Sequence, residues 1–256
     1  AKSSMPTLTL SPSAATKKEL AEAKRLQVRA QRLALVARFA DAILLYEKAL
    51  EIRERIQGEH IDVADLLWEM ASVFSPNEQD GRKQALLSRC LVIRQKQLGE
   101  DHEAVLRVLG ALGESFLDRK DRQKAEEHYV NLLNKAIKFK KPDFVVLSSF
   151  NLYIIYSTEE NFSKMESMLK FYIENSKRCT GWARTRLAKI YIEQGMSRRA
   201  LLQNEQAYRD VLRGNCEDEK NNIDESRADL LERIGMNFKI LGKNDLARKC
   251  SEMSRR

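Results

Sequence analysis

Three histidines, His60, His102 and His128, are the side chains best suited to proton transfer and metal binding near neutral pH. His60 and His102 stand at equivalent places of an internal repeat, two or three residues after a glycine (Gly58, Gly99), which assigns them to turns. His128 beside Glu127 reads as part of a solvated helix face. The paired acids Glu126-Glu127 and Glu159-Glu160 lie in charge-rich stretches, and neighbouring carboxylates do acid–base work only where a pocket drives their pKa values apart. Cys90, Cys179, Cys216 and Cys250 are far apart with no C-x-x-C pair, which speaks against zinc and, in a chain this long, against a disulfide framework. No G-x-x-x-x-G-K-S/T loop, G-x-G-x-x-G turn, G-x-S-x-G elbow or H-E-x-x-H pair occurs. These residues build no catalytic centre, so the expectation is a non-enzyme with no cofactor and no metal.

Binding is left as the chemistry to look for. The net charge of +8 is spread over Lys24, Arg25, Arg29, Arg32 and Arg38, over Lys135, Lys138, Lys140 and Lys141, and over Arg248, Lys249, Arg255 and Arg256. Such a bias favours acidic partners in general without selecting nucleic acid. No apolar run approaches the roughly 20 residues of a membrane span, which predicts a protein without membrane insertion. Residues 1–16 are rich in Ser, Thr, Pro and Ala and hold no acid. Segment 1–17 is therefore expected to be a disordered or extended tail, or the remnant of an organellar leader, before a repeat domain over 18–256. Scattered thiols suit a reducing, intracellular compartment, with the cytoplasm first and an organelle interior as the alternative.

The elements that must position any binding residue come from a period. Leu50, Ile52, Arg53 and Gly58 recur 41 positions later as Leu91, Ile93, Arg94 and Gly99, and His60, Val63 and Leu67 recur 42 later as His102, Val105 and Leu109. Apolar spacing at i, i+4, i+7 and i+8, as in Ala42, Tyr46, Ala49 and Leu50, predicts helices packed on one side. The pattern gives six helical hairpins, 18–37 with 40–57, 61–75 with 82–98, 103–118 with 121–139, 143–157 with 161–177, 181–194 with 197–213, and 224–241 with 244–254. Their breaks are Gly58, Ser75-Pro76-Asn77 and Gly81. Small residues at Ala71, Gly113, Ala188 and Gly235 precede aromatics at Phe74, Phe116, Tyr191 and Phe238 by three positions. Further small residues, at Ala42, Ala85, Ala125, Ala200 and Ala247, open the contact face of each second helix. Small facing large is how a close-packed helix pair fills space.

These positions resemble the tetratricopeptide repeat family. Arg184, Leu187, Ala188, Tyr191, Gly195 and Ala200, then Leu231, Ile234, Gly235, Phe238, Gly242 and Ala247, carry the likeness in the last two hairpins. The stretch from Tyr46 to Arg53 leading to Gly58-Glu59-His60 is similar to the longer repeats of kinesin light chains. The resemblance covers roughly residues 20–254 and implies an all-α fold, an α-solenoid of about six antiparallel helix pairs wound into a right-handed superhelix. Kinesin light chain repeats hold paired asparagines on the groove-lining helix. Here the comparable position carries Glu69, Ala111, Asn151, Arg186 and Arg233, so the asparagine mechanism does not carry over. Repeat four also departs, with Met165 where a small residue is expected.

Projected on this register, the inner surface receives Arg107, Glu114, Asn151, Trp182, Arg186, Lys189, Arg233 and Lys239, together with Asp65, Glu69, Asp118, Glu193, Asp229 and Glu232. Trp68, between Leu67 and Met70 in sequence neighbourhood, belongs to the core; Trp182 beside Gly181 at a helix start is expected at the surface, as an interface anchor. Arg107, Asn151, Trp182, Arg186, Lys189, Arg233 and Lys239 are the predicted partner-binding residues. The expected function is a non-catalytic scaffold or adaptor holding a protein or peptide of acidic character. An organellar RNA-associated repeat protein is the alternative, although no base-reading pair recurs from repeat to repeat.

Overall fold

The computed structural model describes residues 13–74, 81–177, 180–213 and 226–255. Among them are twelve helices and no strand: α1 (Ala14–Leu35), α2 (Phe39–Gln57), α3 (Ile61–Ser72), α4 (Arg82–Leu98), α5 (Glu103–Asp118), α6 (Arg122–Lys138), α7 (Pro142–Thr158), α8 (Phe162–Asn175), α9 (Gly181–Glu193), α10 (Ser197–Leu212), α11 (Arg227–Ile240) and α12 (Asn244–Ser254). All twelve expected helices are present, most with ends within three residues of the predicted ones. α1 starts earlier than expected because Ser13 caps it, its Oγ accepting from the Thr16 amide at 3.1 Å. Residues 1–12, the Ser75-Pro76-Asn77 break and two of the four cysteines, Cys179 and Cys216, lie outside the described residues.

Local chemistry sets where each helix starts and stops. His60 and His102 are N-caps of α3 and α5, each Nδ1 accepting the backbone N–H two residues on, at 3.2 Å from Asp62 and 3.1 Å from Ala104. That confirms their assignment to turns and accounts for the shared repeat position. Six helix ends close with one device, in which an amide donates to the carbonyl five residues before it: Arg38 to Leu33, Asp121 to Phe116, Lys141 to Ala136, Asn161 to Tyr156, Met196 to Tyr191 and Lys243 to Phe238. The residue before each donor is left-handed, with φ of 53° to 73°. Only Gly195 and Gly242 are glycines there; Ala37, Lys120, Lys140 and Glu160 adopt it against their own steric preference.

The chain divides into two compact units, Ala1–Ala125 and Glu126–Arg256. In the first, α1 packs on α2 and α3 on α4, and α2–α3 and α4–α5 contacts join neighbours. Its core runs through Tyr46, Leu66, Leu67, Met70, Phe74, Leu87, Ile93 and Leu112. Burial pushes the Tyr46 hydroxyl up to about 12, with the Glu69 charge adding to it. Two arginines are buried with their own partners. Arg53 reaches Asp62 at 2.9 Å, and Arg94 reaches Asp65 at 2.9 Å while lying 5.2 Å from the Trp68 ring centre. Ala71 and Phe74 are buried as the register requires. Ala85 is not: it is exposed, and its neighbour Gln84 turns inward, donating Nε2 to Ser115 Oγ at 2.6 Å and to the Ser115 carbonyl at 3.1 Å. A side-chain amide that can reach a carbonyl replaces the small residue at that contact.

In the second unit α7 packs on α8, α9 on α10 and α11 on α12, with α8–α9, α10–α11 and α9–α11 as the contacts between hairpins. A Cβ on Gly235 would meet Cys250 Cβ at 3.1 Å and the Ala247 carbonyl oxygen at 3.4 Å. That is the close approach for which the small residue was expected. Met165 takes the place of the usual small residue and is itself buried. Hydroxyl groups join successive hairpins: Tyr156 donates to Glu126 at 2.8 Å and Tyr191 to Glu166 at 3.0 Å, with Lys164 and Lys170 on the same carboxylates at 3.1 and 2.7 Å. A buried amide network closes the last two hairpins. Asn237 donates to the Thr185 carbonyl at 3.2 Å and to Asn204 Oδ1 at 3.0 Å, and Asn204 donates to the Ile234 carbonyl at 3.0 Å.

Candidate functional site

A repeated stripe on the first helix of each hairpin is the surface that the register singles out. On α7 it is Leu147, Asn151, Ile154 and Thr158; on α9 Trp182, Arg186, Lys189 and Glu193; on α11 Asp229, Arg233, Met236 and Ile240. Each set follows the spacing i, i+4, i+7, i+11, which keeps side chains on one side of a helix. α9 rests directly on α11, and Phe150 and Tyr153 of α7 touch Trp182 of α9, so the three helices form one row in the second unit.

The predicted residues behave differently within that row. Arg186 is half-buried, and Lys189 is exposed 3.8 Å from Glu193. Arg233 is half-buried one turn from Asp229, whose carboxyl lies below its ordinary range through hydrogen bonds from Ser226, with the Arg233 charge adding to that. Asn151 donates its amide N–H to the Leu147 carbonyl of its own helix at 2.9 Å. Its one retained asparagine position therefore offers a partner mainly the amide oxygen. Lys239 falls beside the stripe and lines an open groove of about 560 Å³ between α11 and α12 with Glu232, Met236, Asn244, Arg248 and Ser251.

Trp182 corrects the expectation of a surface anchor. The indole is only 8% exposed, with ring centres 4.8 Å from Tyr172, 5.4 Å from Phe150 and 5.8 Å from Tyr153. The first turn of α9 is laid against α7 and α8, so a residue at a helix start is covered by the preceding hairpin. Its Nε1 has no hydrogen-bond partner among the described residues, and the ring serves packing.

Arg107 belongs to the first unit, where the equivalent stripes are acidic: Asp65 and Glu69 on α3, Glu114 and Asp118 on α5. It is held by Glu103 one turn earlier, with Nη2 at 2.5 Å. Several acids of these stripes are engaged internally, Asp65 by Arg94, Glu69 by Gln27 at 2.9 Å and Asp118 by Lys83 at 3.9 Å. Arg107 is the one predicted residue that belongs to the first unit. Sequence reasoning passed over Leu147, Ile154, Met236 and Ile240, exposed apolar side chains in the same register as the chosen cations. The signal was present, because positions 154, 189 and 236 are equivalent, but only charged residues were selected from it.

Among the described residues no group of three or more His, Cys, Asp or Glu could hold a metal ion. His128 is half-buried rather than solvated, and burial lowers its pKa against the opposing charge of Glu127. Cys90 and Cys250 are buried free thiols pushed up to about 11 by burial, which makes them poor nucleophiles. Among the described residues no helix is long and apolar enough to cross a membrane.

Known structures repeat this arrangement of hairpins. BtubC (BKLC) from P. vanneervenii matches over 95% of this chain and 91% of its own, at 19% identity and a TM-score of 0.57. The chain has a tetratricopeptide-type repeat fold. Aspartyl phosphate phosphatase F from Bacillus subtilis shares the fold over 95% of this chain and 72% of its own, at 13% identity and a TM-score of 0.58. The Rap conjugation gene regulator of the plasmid pLS20, in complex with the Phr* peptide, shares it over 100% of this chain and 80% of its own, at 12% identity and a TM-score of 0.50. No family model matches the sequence, and no curated protein matches it. At such identities the tetratricopeptide-type likeness concerns the fold, and function has to be argued from the surface.

Proposed function

We propose that the chain is a non-catalytic intracellular adaptor that holds a segment of a partner protein along the α7–α9–α11 stripe. The observation that carries this reading is the composition of that stripe. Exposed Leu147, Ile154, Met236 and Ile240 alternate with Asn151, Arg186, Lys189 and Arg233, with Lys239 at the edge, while the stripe's two acids are engaged, Glu193 by Lys189 and Asp229 by Ser226. Apolar groups supply the desolvation that drives association, and cations select an acidic, amphipathic segment and orient it. The Rap conjugation gene regulator, in complex with the Phr* peptide, supports a peptide-holding use of such a fold. Arg107, set among acids and tied to Glu103, is left outside the stripe, and Trp182 supports it from beneath.

Photo-crosslinking tests the proposal: a photoreactive amino acid at position 154 or 189 is used in cells, and the adducts are identified. One protein, recovered at both positions and lost on Arg186→Glu with Met236→Asp, is the expected result. Loss of a central apolar and a charged contact together should weaken binding by 2–4 kcal/mol, on the order of a hundredfold. Adducts with nucleic acid, or protein adducts indifferent to both substitutions, would refute it.

A further inference from the structure

We propose that the outer face of α1 and the corner joining it to α2 form a docking surface for anionic phospholipid membranes, separate from the stripe described above. One side of α1 is spent on the fold: Ala23, Gln27 and Ala30 are buried and Gln27 bonds Glu69 of α3. The opposite side presents Lys17, Lys18, Arg25, Arg29 and Arg32, all exposed, with Lys24 at its edge reaching Gln27 at 3.5 Å, against a single exposed acid, Glu22. Among the described residues Glu22 engages only Arg25, at a long 3.7 Å with both side chains more than half in water. Lys17, Lys18, Arg29 and Arg32 have no ion-pair partner among the described residues. This face is a row of cations, most of them without an acid partner among the described residues, on a capped helix.

At the end of that row the apolar groups come out. Leu35 is 86% exposed, Val36 65% and Phe39 48%, clustered around the left-handed Ala37 and bordered by Arg32 and by Arg38, which pairs with Asp41 at 2.5 Å. Three adjacent apolar side chains at a turn are a costly thing to leave in water. Cations leading to an apolar tip match a bilayer surface, where phosphate headgroups take the charges and the tip enters the boundary with the acyl chains. A nucleic-acid backbone would use the cations and leave Leu35 and Val36 with nothing to gain, so the corner decides for lipid. Of the three only Phe39 could stack on a base, and it is the least exposed; Leu35 and Val36 could not.

Flotation of the full chain with phosphatidylcholine vesicles, with and without phosphatidylserine, tests the assignment. Wild-type protein should float only with the phosphatidylserine vesicles. Each neutralised cation near the surface should weaken binding roughly fivefold, so Arg25→Gln with Arg29→Gln and Arg32→Gln should weaken it on the order of a hundredfold. Leu35→Ser with Val36→Ser should weaken it by roughly tenfold or more with the charge untouched. A Val36→Trp variant should shift its emission to the blue on vesicles, while the native tryptophans give an unchanged background. The substituted positions are exposed, so an unaltered circular dichroism spectrum is expected throughout. Binding that survives the serine variant, retention of single-stranded RNA without vesicle binding, or no binding to either would each overturn the proposal.

Discussion

Glu160 holds a backbone angle that its side chain resists, with φ at 53°, while Gly195 and Gly242 meet the same demand freely. Glu160→Gly should therefore raise stability by about 1 kcal/mol, read as a higher urea midpoint at unchanged slope, and Gly195→Ala should lower it by a similar amount. An unchanged midpoint in both would remove the strain argument. His102 makes the opposite kind of case, a residue well suited to its place. His102→Ala should cost about 1 kcal/mol through the lost cap of α5, and His102→Asp should recover it. The role of the two repeated histidines was legible because they recur at one register position. The left-handed turns were not, since four of the six carry no glycine to mark them. Trp182 was misjudged for a related reason: its neighbours Phe150, Tyr153 and Tyr172 are distant in sequence, and only the fold brings them onto the ring.

Helices and their order were readable because apolar spacing, glycines and a long period agreed with one another; contacts between hairpins were less so. The bonds of Tyr156 to Glu126 and of Tyr191 to Glu166 join elements whose spacing in sequence differs, so no motif announces them. Burial alone would raise the Glu126 pKa, but hydrogen bonds from Tyr156 and Lys164 and the Lys164 charge outweigh it and hold it below its ordinary value. Glu166 is lowered first by its bond to Lys170 and further by Tyr191, against burial. A carboxylate with a lowered folded pKa stabilises the fold above its unfolded pKa and loses that contribution as pH falls through the folded value. Tyr156→Phe should thus reduce stability at neutral pH by about 1 to 2 kcal/mol and leave a smaller further loss between pH 5 and the acid limit than wild type shows. Chemical denaturation repeated from neutral pH downward would check both parts, and parallel curves for variant and wild type would show that the bond does not set the Glu126 pKa. Charged groups of the stripe were legible as a set; its apolar members were passed over because an isolated exposed Leu or Met in a sequence looks like any other core residue.

Repeat proteins are held mainly by contacts between sequence neighbours, which makes stability divisible along the chain. The two compact units each contain one tryptophan, Trp68 in the first and Trp182 in the second, so each unit reports its own unfolding. The period itself foretold the array; the division near Ala125 was not foretold, since it falls inside the continuous helix α6, where the spacing of apolar residues does not change. Leu109 is fully buried in the first unit, and Leu109→Ala should cost about 2 to 5 kcal/mol there. Paired with Trp182→Phe, that substitution should move the Trp68 fluorescence transition in urea to lower denaturant. Paired with Trp68→Phe, it should move the Trp182 transition by clearly less. Equal displacement of the two transitions would mean that the hairpins unfold as one all-or-none body, and the additive picture of neighbouring repeats would not describe this chain.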